Sequence, residues 1–183
     1  SIGIYPGLGG TQRTPRICGI EAARFAILAG NFLDANSAAA LGLLTHLVDP
    51  SEVDQTVSAI SNSGKPSNKY PARPADESHP AAAFALEFYN DANIDALVAG
   101  NCPEGFEAED KMVSRQLKSL SRTAPIALSM ASDLLNDAVL TGDNLQQGLA
   151  LELERLGDIF ASTDAFEGLS ALIQGRRPNY TNN

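Results

Sequence analysis

Residues 43–48, Leu-Leu-Thr-His-Leu-Val, read as a β-strand in a chain whose other periodic stretches read as helices. That combination is hard to fold alone, because a single strand leaves a row of N–H and C=O groups without partners. A second strand fits only the very start of the chain, ahead of the glycines at positions 7, 9 and 10. The sequence therefore predicts a mainly helical chain with one or two short strands. It also predicts that the rest of the strand-bearing fold lies outside these 183 residues.

Helical spacing and end signals place the other elements. Pro6-Gly7-Leu8-Gly9-Gly10-Thr11 is a glycine-rich turn leading into Gln12 and Arg13; Pro15 restarts a short helical piece and Gly19 stops it. Ala22, Phe25, Ala26 and Ala29 predict a helix over 21–29 with Gly30 behind it. Asn31-Phe32-Leu33 is an extended link, and Asp34 caps a helix over 35–41 that Gly42 ends. Asp49-Pro50-Ser51-Glu52 has the Asp, Pro and Glu of a helix start, and Val53, Val57 and Ile60 form the expected buried stripe. Pro66, Pro71, Pro74 and Pro80 among polar residues mark 64–80 as a loop. Helices follow over 81–89, 94–99, 107–120, 125–139 (capped by Thr123) and 145–160. The last starts at the capping-box pattern Asp164-Ala165-Phe166-Glu167 and ends at Gly175, and 181–183 should fray.

Composition removes several function classes. At 44% hydrophobic and 19% charged the chain is globular, neither disordered nor membrane-like. No apolar run approaches the ~20 residues a membrane-spanning helix needs, and the first residues carry no secretory signal pattern. A net charge of −9 argues against nucleic acid or an anionic membrane surface as partner. An anionic ligand would need a few local arginines or backbone N–H groups. Cys18 and Cys102 are too few for a disulfide scaffold and lie in no metal-ligand spacing, so they read as reduced thiols of a cytoplasmic protein, with no metal expected.

Three blocks, in order, resemble the crotonase (enoyl-CoA hydratase/isomerase) superfamily. The first is Ile2-Gly3-Ile4-Tyr5-Pro6-Gly7-Leu8-Gly9-Gly10-Thr11-Gln12-Arg13, continuing to Pro15-Arg16, which resembles the family's active-site turn and the helix behind it. The second is Leu28-Ala29-Gly30-Asn31-Phe32-Leu33-Asp34-Ala35 with Ala39-Ala40-Leu41-Gly42-Leu43-Leu44. The third joins Phe160, Ser162, Asp164, Glu167-Gly168 and Ala171 to Arg176-Arg177-Pro178-Asn179-Tyr180.

The resemblance implies an α/β crotonase-like fold of which this chain is the C-terminal part only. Residues 1–63 would hold the active-site turn and following helices, 64–119 an insertion, and 120–183 the oligomerisation helices of a homotrimer or hexamer. It implies an acyl-CoA thioester substrate in fatty-acid or related β-oxidation, with coenzyme A as part of the substrate and no covalently bound cofactor. Syn-addition of water to an unsaturated thioester needs a carboxylate base and acid, and two N–H donors for the developing oxyanion. By resemblance both glutamates and both oxyanion segments precede Ser1, in the missing upstream half of the domain.

What the chain itself would supply is Pro6, Gly7 and Leu8 against the substrate, with the Gly7 N–H helping to hold the catalytic water. Spacing alone also allows a plain strand-to-helix turn. Arg176 and Arg177 match a terminal basic pair near the adenosine end of CoA, and an arginine pair there also complements a helix dipole. Arg13 and Arg16 read as partners for carboxylates of the missing half, Glu152 and Glu154 as a solvated face, and Glu167 as a capping residue. His46 and His79 have no catalytic partner, and Met112 and Met130 fill the core.

The long stretch before Ser119 is similar to extra helices of the 3-hydroxyacyl-CoA (3-hydroxyisobutyryl-CoA-type) hydrolase branch. It also varies in hydratases fused to a 3-hydroxyacyl-CoA dehydrogenase. The hydrolase branch has Asp after the turn proline where this chain has Gly7, which favours hydratase or isomerase. A non-catalytic oligomerisation or binding module is the reading from a different class.

Overall fold

The computed structural model describes residues 2–30, 32–64 and 72–182. Left-handed dihedrals at Leu8 and Gly9 turn the chain into α1 (Gly10–Cys18), and Gly19 separates it from α2 (Ile20–Ile27). α1 runs unbroken through Pro15 rather than restarting there. Asp34 caps α3 (Ala35–Ala40) by accepting the Ser37 N–H at 2.8 Å. A 3-10 turn, Pro50–Glu52, leads into α4 (Val53–Ser63). Next come α5 (Pro80–Phe88), α6 (Ile94–Val98) and α7 (Lys111–Leu120). The longest helix, α8 (Pro125–Leu140), precedes α9 (Leu145–Glu154), α10 (Leu156–Ala161) and α11 (Thr163–Gln174).

The core forms where α1, α2 and α8 meet, with α9 closing on α1 and α8, α5 on α2 and α6 on α8. Ala127, Leu128, Ala131, Leu134, Leu135 and Ala138 make the buried side of α8. Its small residues let the helices approach closely, and its leucines fill the gaps between them. Phe25 of α2 meets Phe84 and Tyr89 edge to face, and Phe88 stacks on Phe84 at 4.9 Å and meets Phe106 edge to face. The stretch before Ser119 thus supplies much of the aromatic core. Cys18 is buried there with its thiol pushed up to about 12 by burial, which makes it a packing residue.

Several expectations fail for physical reasons. No strand forms among the described residues: 43–48 runs irregularly with Leu44 and Leu47 exposed, because no neighbouring strand is there to pair with it. Val53, Val57 and Ile60 form no buried stripe; nothing in α4 is buried, and Val57 is 55% exposed. The segment 145–160 is two helices rather than one, broken at Arg155.

Thr123 does not cap α8, whose N-cap is Ala124. Ser162, not the Asp164–Glu167 pair, caps α11 by accepting the Ala165 N–H. Met112 is partly exposed rather than a core filler. Thr181 and Asn182 do not fray, because their N–H groups bond the buried carboxylate of Asp164 at 2.7 and 3.0 Å. Pro66, Pro71, Asn31 and Asn183 lie outside the described residues.

Candidate active-site groove

The N-terminal segment reaches the site because two glycines let it lie against α11. Gly3 sits at φ 77° beside the main chain of Asp164, and Gly168 passes the main chain of Ile2 with no room for a Cβ. Tyr5 is buried and donates its hydroxyl to the Glu152 carbonyl at 2.9 Å. Burial, and then the Glu152 carboxylate, raise the Tyr5 pKa, which keeps the phenol a neutral donor.

The turn that follows is clasped from α9. Glu152, expected on a solvated face, is 4% exposed. One carboxylate oxygen accepts the Gly9 N–H and the other the Thr11 hydroxyl, both at 2.5 Å. Gln12 donates to Thr11 Oγ1 at 3.1 Å and to the Leu134 carbonyl at 2.8 Å, tying the turn to α8. Arg13 and Arg16 bond carbonyls within this chain. Arg13 donates to the Leu8 carbonyl, and Arg16 to the carbonyls of Gln12 and Gly142 and to Thr141 Oγ1. Gly148 of α9 leaves room for the Gln12 side chain, which a Cβ there would meet.

The other side of the turn faces an open groove of about 640 Å³. Pro6 and Gly7 form one wall, Ala26 to Gly30 the other, and Ser119, Arg122 and Thr123 the end. Ser119 donates its hydroxyl to the Ala29 carbonyl at 2.6 Å and fixes the far wall. The Gly7 N–H makes no hydrogen bond among the described residues, and its φ is not left-handed. None of the described residues lining the groove is a carboxylate. Leu8 points away, 93% exposed, into a smaller hollow with Arg13, Leu149 and Leu153.

Arg122 and Thr123 also line a second hollow of about 420 Å³, whose other wall is Arg177 to Tyr180. Among the described residues neither the Arg122 nor the Arg177 guanidinium has a hydrogen-bond or ion-pair partner. Arg176 is different: it holds both oxygens of Glu167, at 2.5 and 2.7 Å, while the Asn179 N–H bonds the same carboxylate at 2.7 Å. Those bonds, the side-chain ones first, pull the Glu167 pKa down to about 2. Arg176 therefore anchors the tail, and Glu167 is a tail clamp rather than a helix cap. His79 caps α5 through Nδ1, and His46 is exposed.

Of the residues singled out from sequence, Pro6 and Gly7 meet at the groove and Arg177 at its extension, while Leu8 and Arg176 turn elsewhere. Sequence reasoning missed Glu152 and Arg122. Glu152 left one readable mark, since it shares a helical face with Leu145, Leu149 and Leu156. Among the described residues no group of three His, Cys, Asp or Glu is placed to hold a metal ion, and no helix is long and apolar enough to cross a membrane.

This arrangement of helices matches a crystal structure of a carnitinyl-CoA dehydratase from Mycobacterium thermoresistibile with a TM-score of 0.67. The match is 23% identical in sequence and covers 98% of this chain and 51% of that one. The fold is crotonase-like, and the regular elements described in it are all helical. The family model for enoyl-CoA hydratase/isomerase matches residues 1–183, and the chain belongs to that family.

An enoyl-CoA isomerase/hydratase of Mycosarcoma maydis is 38% identical over 180 residues, covering 98% of this chain and 44% of the relative. A short-chain-enoyl-CoA hydratase of Clostridium acetobutylicum is 23% identical over 176 residues, covering 96% of this chain and 45% of the relative. The chain thus spans about half the length of the curated relatives it matches.

Proposed function

We propose that these residues form the C-terminal part of an enoyl-CoA hydratase/isomerase-type site acting on acyl-CoA thioesters in fatty-acid or related β-oxidation. The observation that carries this reading is the groove. Gly7, whose N–H has no hydrogen-bond partner among the described residues, lines the groove together with the unpaired Arg122, and Arg122 also lines the adjoining hollow with the unpaired Arg177. In a chain of net charge −9, two unpaired arginines on one passage are a local anion site. The thioester would lie over Pro6 and Gly7, and the phosphates of CoA toward Arg122 and Arg177. The groove's volume suits part of a ligand of that size.

The base and acid for hydration come, in this reading, from outside these 183 residues, since no carboxylate lines the groove. The isolated chain therefore binds part of the substrate but does not hydrate crotonyl-CoA. The apolar face of α11, formed by Phe166, Leu169, Leu172 and Ile173, supports assembly into a trimer or hexamer. Leu128, Leu134 and Leu135 of α8 are buried in the core and add nothing to that face. A cytoplasmic setting is supported by the two free cysteines.

Steady-state kinetics of the full-length protein on crotonyl-CoA test the reading. Arg122→Ala with Arg177→Ala should raise KM about tenfold or more, the loss of charge-assisted hydrogen bonds to phosphate. It should leave kcat nearly unchanged and weaken the dependence of KM on salt. An unaltered KM with unaltered salt dependence would remove the two arginines from the substrate site.

A further inference from the structure

Glu152 lines the small hollow beside Leu8 and not the groove proposed to hold substrate, yet it carries the two shortest bonds to the turn. Two further observations give that meaning. Leu8 combines a left-handed φ of 58°, unusual for a branched side chain, with almost complete exposure, so neither packing nor intrinsic preference holds it there. What holds it is external: the Arg13 guanidinium on its carbonyl, and the Glu152 carboxylate on the next N–H. The Tyr5 hydroxyl on the Glu152 carbonyl closes the clasp on the upstream side. Both bonded residues, Gly9 and Thr11, lie within four positions of Gly7.

We propose that Glu152 is a positioning residue that sets the conformation of the turn, and through it the direction of the Gly7 N–H. A carboxylate suits the task because both of its oxygens accept, so neither bond can invert. Its burial leaves those two donors as the partners that satisfy it, and a buried acceptor that is satisfied this way is rigid. Small misplacement of such a donor lowers turnover more than binding. The proposal rests on the reading of the groove as an acyl-CoA site.

The experiment uses the full-length protein with two readouts, amide exchange at Gly9 and kinetics on crotonyl-CoA. Glu152→Ala should speed Gly9 exchange about tenfold or more and lower kcat about tenfold or more, with KM changed less than about threefold. Glu152→Gln keeps one oxygen for the Gly9 N–H and should recover most of both effects. Glu154→Gln, on the exposed side of the same helix, should change neither.

Should Glu152→Ala not fold, Thr11→Val removes one of the two bonds and should move both readouts the same way by less. A folded Glu152→Ala with wild-type Gly9 exchange overturns the clasp. Faster exchange with unchanged kcat overturns its link to turnover. If the wild-type protein turns over no acyl-CoA, the acyl-CoA reading fails, and Gly9 exchange alone then decides whether Glu152 holds the turn.

Discussion

α8 and α4 carry apolar residues at the same helical spacing, yet seven residues of α8 are buried and none of α4 is. The difference lies outside each helix. α8 has α1, α2, α6 and α9 against it, whereas the apolar side of α4, with Val53, Val57 and Ile60, looks into solvent. Periodicity says which face of a helix could be covered; only a neighbouring element decides that it is.

The contrast is broken most severely at the centre of α8. Leu134→Ala should destabilise the chain by about 3 kcal/mol, because a wholly buried leucine leaves a cavity that close-packed neighbours cannot fill. For a chain of this size that lowers Tm by about 6–12 °C. A loss below ~1 kcal/mol in thermal or urea unfolding would mean that α8 is not the core helix described here.

α11 provides an intermediate case, held to the tail by charge rather than by burial. The Glu167 carboxylate has a pKa of about 2 against an ordinary value of 4.5. Because the folded value is the lower one, the clamp stabilises above pH 4.5, and this contribution is lost as pH falls toward 2. The gap in Tm between wild type and Glu167→Gln should therefore be widest near neutral pH and shrink across that window. The lowered values of Asp34 and Asp76 affect both proteins alike and cancel from the difference. A gap independent of pH would show that Arg176 and Asn179 do not hold an ionised Glu167.

At the other extreme, Val57→Ala in the isolated chain should change stability by less than about 0.5 kcal/mol. The same substitution should become more damaging in any assembly that covers α4, and comparing the two by urea unfolding reads that difference directly. A loss of ~1 kcal/mol or more in the isolated chain would show that α4 is already covered.

Legibility in the sequence follows the same division. The Asp34 cap, the stops at Gly19 and Gly42, the apolar side of α2 with Ala22 and Phe25, and the glycine turn are local signals, and they were readable. The strand expected at 43–48 was not a local matter, since a strand is defined by its partner. Glu152 was misread for a related reason. Its partners, Gly9 and Thr11, lie more than 140 positions away, so no window around it shows what it bonds. The tail was misread because Asp164 and Glu167 resemble a cap, while the N–H groups they bond belong to residues 12 to 18 positions further on.

The groove beneath the turn is where we propose that an acyl-CoA lies. Glycine-selective ¹⁵N labelling of the full-length protein, titrated with crotonyl-CoA, reads that directly. Gly7 and Gly30 line the groove, whereas Gly64 ends the uncovered α4 and Gly142 lies beyond α8. The Gly7 and Gly30 amides should shift on titration while Gly64 and Gly142 stay fixed. Shifts confined to Gly64 or Gly142, or a saturated protein in which Gly7 and Gly30 do not move, would contradict that placement.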